Sequence, residues 1–126
     1  YKTNFKKPAT PASEYLLEIG QVNESVTVFL NGKKLASLIG PVFQVRIPAA
    51  ILQNDNELEL SVANSMANRI IDLEKKNIVW KKFNNTNYPA RLPQNRGADG
   101  LFNASKWQPR ASGIVGPVTL TAIKLL

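Results

Sequence analysis

Three segments of this chain alternate apolar and polar residues with a period of two. The apolar positions are Val26, Val28 and Leu30, then Phe43, Val45 and Ile47, then Leu58, Leu60 and Val62. Successive side chains of a strand point to opposite faces, so each segment would place one apolar face against a core. Because a period of two cannot be laid on the face of a helix, the pattern predicts strands.

Turn residues separate these segments. Asn31-Gly32 follows the first one and is the strongest short signal for a two-residue hairpin, because a type I′ turn needs positive φ at both central positions. Gly40-Pro41 comes before the second segment and predicts a break where the chain crosses to another sheet. Residues 48–56 predict a helical turn and a loop. Short strands with such turns indicate an all-β antiparallel sandwich or barrel.

The rest of the chain is less regular. Residues 1–13 are polar and contain two prolines, which predicts a tail or linker. Residues 65–113 contain both tryptophans and many asparagines, which is typical of long irregular loops. Alternation returns at Val118, Leu120 and Ala122. A length of 126 residues suits one domain, so we expect a single β-sandwich domain over 14–126.

Composition narrows the chemistry. The chain has no Cys, and it has no His, the commonest general base and transition-metal ligand. Its net charge is +7, but the basic residues are dispersed, as four adjacent lysine pairs rather than a stripe. No apolar run approaches the roughly 18–20 residues of a membrane helix, so we expect no membrane partner. The start at Tyr1, without a signal-peptide pattern, suggests a mature or excised fragment.

The order of the motifs resembles that of a known family. The matching segments are FLNGKKL, VFQVRI, NELELSVAN and NRIID, followed by RASGIVGPVTL near the C-terminus. Together they are similar to the jelly-roll, galactose-binding-like (carbohydrate-binding-module-like) domain of glycoside hydrolases, in particular the C-terminal domain of α-L-rhamnosidase-like enzymes. Two positions depart from that pattern: Ala36 stands where Gly is usual, and Arg46 where Asp is usual.

The resemblance implies a jelly-roll β-sandwich that is an accessory domain of a secreted or periplasmic glycoside hydrolase. Its partners would be the parent catalytic domain and a glycan, either acidic or rhamnose-containing. The resemblance leaves open whether the domain binds glycan or only buttresses the parent enzyme.

The acidic residues offer no catalytic pair. A glycosidase needs two carboxylates on opposite sides of a sugar, about 5–9.5 Å apart. The nine acids are scattered, and the neighbours Glu57 and Glu59 share a flat solvated strand face. We therefore expect the isolated domain to be non-catalytic.

Large rings amid polar residues in the 65–113 loops suggest a sugar site. Rings stack on the C–H faces of sugars, and planar polar groups bond to sugar hydroxyls. The candidates are Trp80, Tyr88 and Trp107 as platforms, with Arg91, Arg96 and Arg110 as donors. Arg also suits the carboxylate of a uronic acid. The competing interpretation is that the two tryptophans anchor the loops.

The segment Gly97 to Gly100 could wrap a structural Ca²⁺ through Asp99 and backbone carbonyls, although a plain turn explains the same residues. We expect no other cofactor.

A second function class stays open. A basic module could bind nucleic acid or another polyanion, with the loop aromatics stacking on bases. The motif order favours the glycan-associated class, and nucleic acid is therefore the less favoured partner. A purely structural domain that packs on the parent enzyme is the third interpretation.

Overall fold

The computed structural model describes residues 1–80 and 91–123. The chain forms two compact units where the sequence analysis expected one domain. We call them the sandwich unit, which comprises Tyr1–Asn64 and Ser112–Leu126, and the insert unit, Ser65–Ala111. The candidate residue Tyr88 lies outside the described residues.

The sandwich unit consists of two antiparallel sheets. One has the strand order β1-β6-β3-β4 and the other the order β5-β2-β7. The strands are β1 (Lys2–Lys6), β2 (Glu14–Asn23), β3 (Ser25–Leu30), β4 (Lys33–Ile39), β5 (Gln44–Pro48), β6 (Asp55–Ala63) and β7 (Gly113–Ile123). The prediction of an antiparallel β-sandwich is thus confirmed.

The core of the sandwich comes from the alternating residues. Val26, Val28 and Leu30 of β3 are buried, as are Leu58 and Leu60 of β6 and Ile47 of β5. Tyr15, Leu17 and Ile19 of β2 belong to the same hydrophobic cluster and lie, like Ile47, in the three-stranded sheet, opposite the residues of β3 and β6. Each large side chain removed from water contributes roughly 1.5–3 kcal/mol, so these alternating positions supply the main stabilisation of the fold.

The predicted hairpin turn connects β3 to β4. Asn31 has φ 50° and Gly32 has φ 75°, as a type I′ turn requires. Leu30 pairs with Lys33 directly across the turn. The side chain of Asn31 also binds β6, since its Oδ1 accepts a hydrogen bond from the Glu57 N–H at 2.8 Å. The turn residue therefore links the hairpin to the next strand of the sheet.

The predicted break at Gly40-Pro41 separates the two sheets. β4 lies at the edge of the four-stranded sheet and β5 at the edge of the three-stranded sheet. Arg46 in β5 is paired with Glu14 of β2, at 3.7 Å between Nη1 and Oε2. At this position Arg46 therefore bridges two neighbouring strands. A short 3-10 turn at Ala49–Ile51 follows β5, as predicted.

The first residues do not form the expected tail. Lys2–Lys6 is strand β1, which pairs with β6. The Lys2 ammonium lies 2.9 Å from Glu59 Oε2 and 3.5 Å from Glu57 Oε1. These ion pairs connect the edge strand β1 to the two acids of β6. The hydrogen bond to Glu59, followed by the charge of Glu57, raises the pKa of Lys2 above its ordinary value.

β2 and β7 pair around an irregularity at Gly20. Ile19 pairs with Val118 and Gln21 with Val115, so Gly20 alone lies opposite Gly116 and Pro117. A Cβ atom at Gly20 would lie 2.6 Å from the carbonyl oxygen of Val115. Only glycine allows the two backbones to approach this closely.

The insert unit leaves and rejoins the sandwich at neighbouring points. Ala63 of β6 pairs with Ser25, and Gly113 of β7 pairs with Asn23 across the same β2–β3 turn. Asn64 Oδ1 accepts a hydrogen bond from the Gly113 N–H at 3.0 Å. The sandwich therefore fixes both ends of the inserted segment.

The insert unit begins with helix α1, Met66–Lys75. Ser65 is its N-cap, and its hydroxyl oxygen accepts a hydrogen bond from the Ala67 N–H at 3.2 Å. Ile71 is its buried residue. Helix α1 is the exception to the long irregular loops that the sequence predicted for residues 65–113. No described helix is long and apolar enough to cross a membrane.

Candidate functional site

Helix α1 ends in a turn that directs the chain toward Trp80. Asn77 has φ 54°, and its N–H donates to the Glu74 carbonyl oxygen, while the Ile78 N–H donates to that of Leu73. This is the Schellman arrangement, in which a left-handed residue stops the helix and satisfies its last carbonyls. The indole Nε1 of Trp80 then donates to Glu74 Oε1 at 2.8 Å, which fixes the ring against the end of the helix.

A compact loop supplies the other side of the site. A 3-10 turn at Pro93–Asn95 leads into an antiparallel bridge between Arg96 and Phe102. Between the bridged residues, the Leu101 N–H donates to Asp99 Oδ1 at 3.0 Å. The Asn103 N–H donates to the Asn95 carbonyl at 2.8 Å. These bonds cross-link the loop from 95 to 103.

The two segments enclose a groove of about 370 Å³, which we call the Trp80 groove. Among the described residues, its lining combines one indole ring, two carboxylates, two amides and three aliphatic side chains. The lining residues are Glu74, Asn77, Ile78, Val79, Trp80, Asp99, Leu101 and Asn103. An aromatic ring next to carboxylates and amides can both stack on a sugar face and bond to its hydroxyls.

Trp107 is held within the protein rather than presented in the groove. Its indole Nε1 donates to Oδ1 of the buried Asn95 at 2.9 Å. Its ring meets the edge of Phe102, with centroids 5.4 Å apart and planes at 80°. These contacts are those of a residue that anchors a loop, the competing interpretation of the sequence analysis.

The candidate arginines do not line the Trp80 groove. Arg91 and Arg96 are exposed residues of the 91–96 segment. Arg110 is held through its backbone: its N–H donates to Asn68 Oδ1, and its carbonyl accepts from Asn68 Nδ2, both at 2.8 Å. This amide pair joins the beginning of α1 to the end of the insert. The structure thus brings Trp80 and Asp99 together, without the other described candidates.

Asp99 belongs to a closed turn. The Gly100 N–H donates to the Gly97 carbonyl, and the Gly97 N–H donates to that of Leu101. Within residues 1–80 and 91–123, no group of three or more acidic residues is placed to hold a metal ion. A Ca²⁺ ion bound through carbonyl oxygens stays a prediction.

Sequence reasoning missed most of the groove residues, among them Glu74, Asn77 and Asn103. Asn77 could have been predicted to end a helix, because Asn often follows the last residues of a helix that has lysines in its final turn. The position of Asn103 in the groove could not be predicted from the sequence, since it depends on how the 95–103 loop folds.

Comparison with known proteins gives a likeness among solved structures. No family model matches the chain, and no curated protein matches it. Among solved structures, it is similar to a rhamnosidase from Novosphingobium sp. PP1Y, with a TM-score of 0.68 and 24% sequence identity. The match covers 95% of this chain and 10% of the rhamnosidase chain. The chain therefore has the fold of a segment of that enzyme and spans about a tenth of its length.

Proposed function

We propose that this chain is a non-catalytic, glycan-binding accessory domain of a glycoside hydrolase. The observation that carries the proposal is the likeness to one tenth of a rhamnosidase chain over 95% of this chain. The motif order described above points to the same class of enzyme. The parent catalytic domain would be its partner, and the parent enzyme would be secreted or periplasmic.

The Trp80 groove is the proposed glycan site. Trp80 is half-buried and oriented by its bond to Glu74, so its ring needs little ordering when a ligand arrives. Asn77 and Asn103 offer amide donors and acceptors for hydroxyls. Hydrogen bonds on both sides of the groove support these groups, as a scaffold supports the binding groups of its loops.

Binding of a rhamnose-containing oligosaccharide to the 126-residue chain, measured by calorimetry, tests the proposal. Trp80→Ala should weaken binding at least about fivefold, because stacking on one aromatic ring contributes roughly 1–3 kcal/mol. Tyr1→Ala is the matched control, since it removes an exposed aromatic ring from the sandwich unit, outside the groove lining. If the Trp80→Ala variant bound the oligosaccharide with unchanged affinity, the Trp80 groove would not be the glycan site.

The same protein should show no turnover of aryl glycosides. Glu74 accepts the Trp80 indole N–H and Asp99 accepts a backbone N–H, so each groove carboxylate has a structural role. Turnover that a Glu74→Gln or Asp99→Asn substitution abolishes would contradict the non-catalytic role.

A salt titration separates glycan binding from polyanion binding. Binding of a polyanion by dispersed lysines falls steeply with salt, whereas binding of a neutral sugar hardly changes. A steep loss of affinity for single-stranded nucleic acid between roughly 50 and 200 mM salt, with no glycan binding, would favour the basic module.

A specific observation also supports a structural role on the parent enzyme. Val115 and Val118 of β7 are 53% and 40% exposed, and Val118 lines an apolar groove of about 360 Å³ with Leu58, Leu60 and Ile114. If this face packs on the catalytic domain, Val115→Asp should lower the melting temperature of the parent enzyme but not that of the isolated chain.

A further inference from the structure

Strand β7 is a sheet edge without the usual protection against pairing with another strand. Edge strands of native proteins commonly carry charged residues, especially lysine, or proline. The other three described edges follow this rule: β1 contains two lysines, β4 begins with two lysines, and β5 contains an arginine and ends in proline. β7 runs over 11 residues, and none of them is charged. Charge therefore does not prevent a further strand from pairing with β7.

The backbone of β7 has donors and acceptors on its open side. The Ile19 N–H donates to the Phe43 carbonyl, on the β5 side of β2. Since backbone groups of successive residues alternate between the two sides of a strand, Glu18 bonds on the other side, to its partner Thr119. Alternate residues of β7 therefore direct their N–H and C=O groups to the open side, where the described residues form no further strand. They are Val118, Leu120 and Ala122. Pro117, which lacks an N–H, lies before this stretch, at the irregularity in the pairing with β2.

The inward face of this stretch is incompletely covered. Val118 is paired with the buried Ile19, so the Val118 side chain also faces the core. It is nevertheless 40% exposed, and it borders the apolar groove of about 360 Å³ together with Leu58 and Leu60 of the opposite sheet. A strand added to β7 would cover Val118 and direct every second side chain toward the groove. The occupant of this edge therefore needs apolar residues at alternate positions.

β7 itself meets this requirement. Its inward residues Val118, Leu120 and Ala122 are apolar, whereas Thr119 and Thr121 between them are polar and exposed. We propose that β7 pairs antiparallel with β7 of a second copy of this chain, with Leu120 opposite Leu120 of that copy. The pair then has two-fold symmetry, and the three-stranded sheets of the two copies join into one continuous sheet.

The proposed register joins complementary groups on both faces of that sheet. On the inward face, Val118 lies opposite Ala122 of the second copy, so a small apolar side chain covers the exposed valine. On the outward face, Thr119 lies opposite Thr121 of the second copy, and threonine pairs across strands are favourable. Because β7 carries no charge, the two strands do not repel each other.

Sedimentation equilibrium of the 126-residue chain tests the inference. An interface of two short strands is small, so we expect a dimer that forms between about 10 µM and 1 mM, with an average mass that rises toward twice that of the chain. Hydrogen exchange identifies the interface, because the N–H groups of Val118, Leu120 and Ala122 should exchange more slowly as the concentration rises. The N–H groups of the edge strand β4 should show no such dependence.

Two double variants at the same positions test the register. Thr119→Lys with Thr121→Lys places lysines opposite each other on both sides of the symmetry axis, and it should raise the dimer Kd at least about tenfold. Thr119→Lys with Thr121→Glu places lysine opposite glutamate instead, so this variant should dimerise at least as tightly as the unaltered chain. Ser37→Lys with Ile39→Lys is the control for added charge, since it places two lysines at the same spacing on exposed positions of β4. At physiological salt it should leave the Kd within about threefold.

Each outcome decides the inference. A chain that remains monomeric at about 1 mM overturns it, as does a dimer in which residues 118–122 exchange as fast as in the monomer. A dimer that the lysine–lysine and lysine–glutamate variants weaken equally, or that neither variant affects, has another register or another interface and also overturns it. Glycan binding is measured separately, so none of these results changes the standing of the proposed glycan site.

Discussion

At the scale of single residues, glycine is required in this fold for two different physical reasons. Gly20 is required for space, because a Cβ atom there would meet the Val115 carbonyl oxygen at 2.6 Å. Gly32 is required for conformation, because its φ is 75° although a Cβ atom there would have no neighbour within 4 Å. Only the requirement for a left-handed conformation at Gly32 could be predicted from the sequence, because Asn31-Gly32 is a hairpin-turn signal.

Substitutions at these two glycines should separate the two effects. Gly20→Ala should lower the free energy of unfolding by about 1–3 kcal/mol, because backbone must shift to admit the methyl group. Gly32→Ala should cost about 1–2 kcal/mol from the left-handed conformation alone. Gly32→Asn should cost less, since Asn tolerates that conformation, whereas Gly20→Asn should cost at least as much as Gly20→Ala. Urea unfolding measures all four values.

Trp107→Phe should loosen the insert unit without affecting the sandwich unit. The substitution keeps a ring beside Phe102 but removes the indole donor to the buried Asn95, and loss of such a partner costs about 1–3 kcal/mol. Hydrogen exchange should speed up at the Asn103 N–H, which bonds to the Asn95 carbonyl. Equal exchange in both proteins would show that the indole does not anchor this loop.

At the scale of elements, one buried amide ties the β3–β4 hairpin to β6. Asn56 is 3% exposed, and its Oδ1 accepts hydrogen bonds from Asn31 Nδ2 at 3.1 Å and from the Gln53 N–H at 2.9 Å. Its Nδ2 donates to the Gln53 carbonyl at 2.7 Å. A buried polar side chain is tolerated here because its donors and acceptors are satisfied by neighbours.

Asn56→Ala should therefore destabilise the protein by about 2–4 kcal/mol, since it removes these bonds and leaves buried partners unsatisfied. The midpoint of urea unfolding should fall accordingly. Asn54→Ala, at an exposed position two residues earlier, should change the midpoint little. Similar effects of the two substitutions would contradict the role assigned to Asn56.

The sequence predicted the strands better than it predicted the helix and the site. Val26, Val28 and Leu30 share one apolar face that the sequence predicted to be buried, and Asn31-Gly32 predicted the hairpin turn. Helix α1 was missed although Ser65 is a good N-cap, because the many asparagines around it favoured loops. The Trp80 groove could not be predicted, since Asp99 reaches it only through loop geometry.

At the scale of the whole molecule, the core and the insert are separable. The main hydrophobic cluster, from Phe5 to Ala122, draws all its residues from the sandwich unit. The insert unit has its own buried residues, Ile71 and Ala104. Its ends leave the sandwich at Asn64 and rejoin it at Gly113, where the two residues are hydrogen-bonded.

A chain in which two glycines replace residues 65–111 should therefore keep its sandwich. We expect a strand-type circular dichroism spectrum and a cooperative unfolding transition, because the shortened connection spans residues that are already neighbours. The shortened chain should lose glycan binding, since it lacks the Trp80 groove. An unfolded product would mean that the sandwich depends on the insert for stability.

The pairing of β2 with β7 has a consequence for the order of folding. The β3–β4 hairpin joins strands that are adjacent in sequence, whereas Glu14 pairs with Ile123 from the opposite end of the chain. Contacts between distant residues form slowly, because the intervening chain must first be brought together. While a ribosome synthesises the insert, one edge of β2 is unpaired, because its partner strand β7 has not yet been made. Such an unpaired edge can associate with another chain, so β2 is where we locate the aggregation risk of the nascent protein.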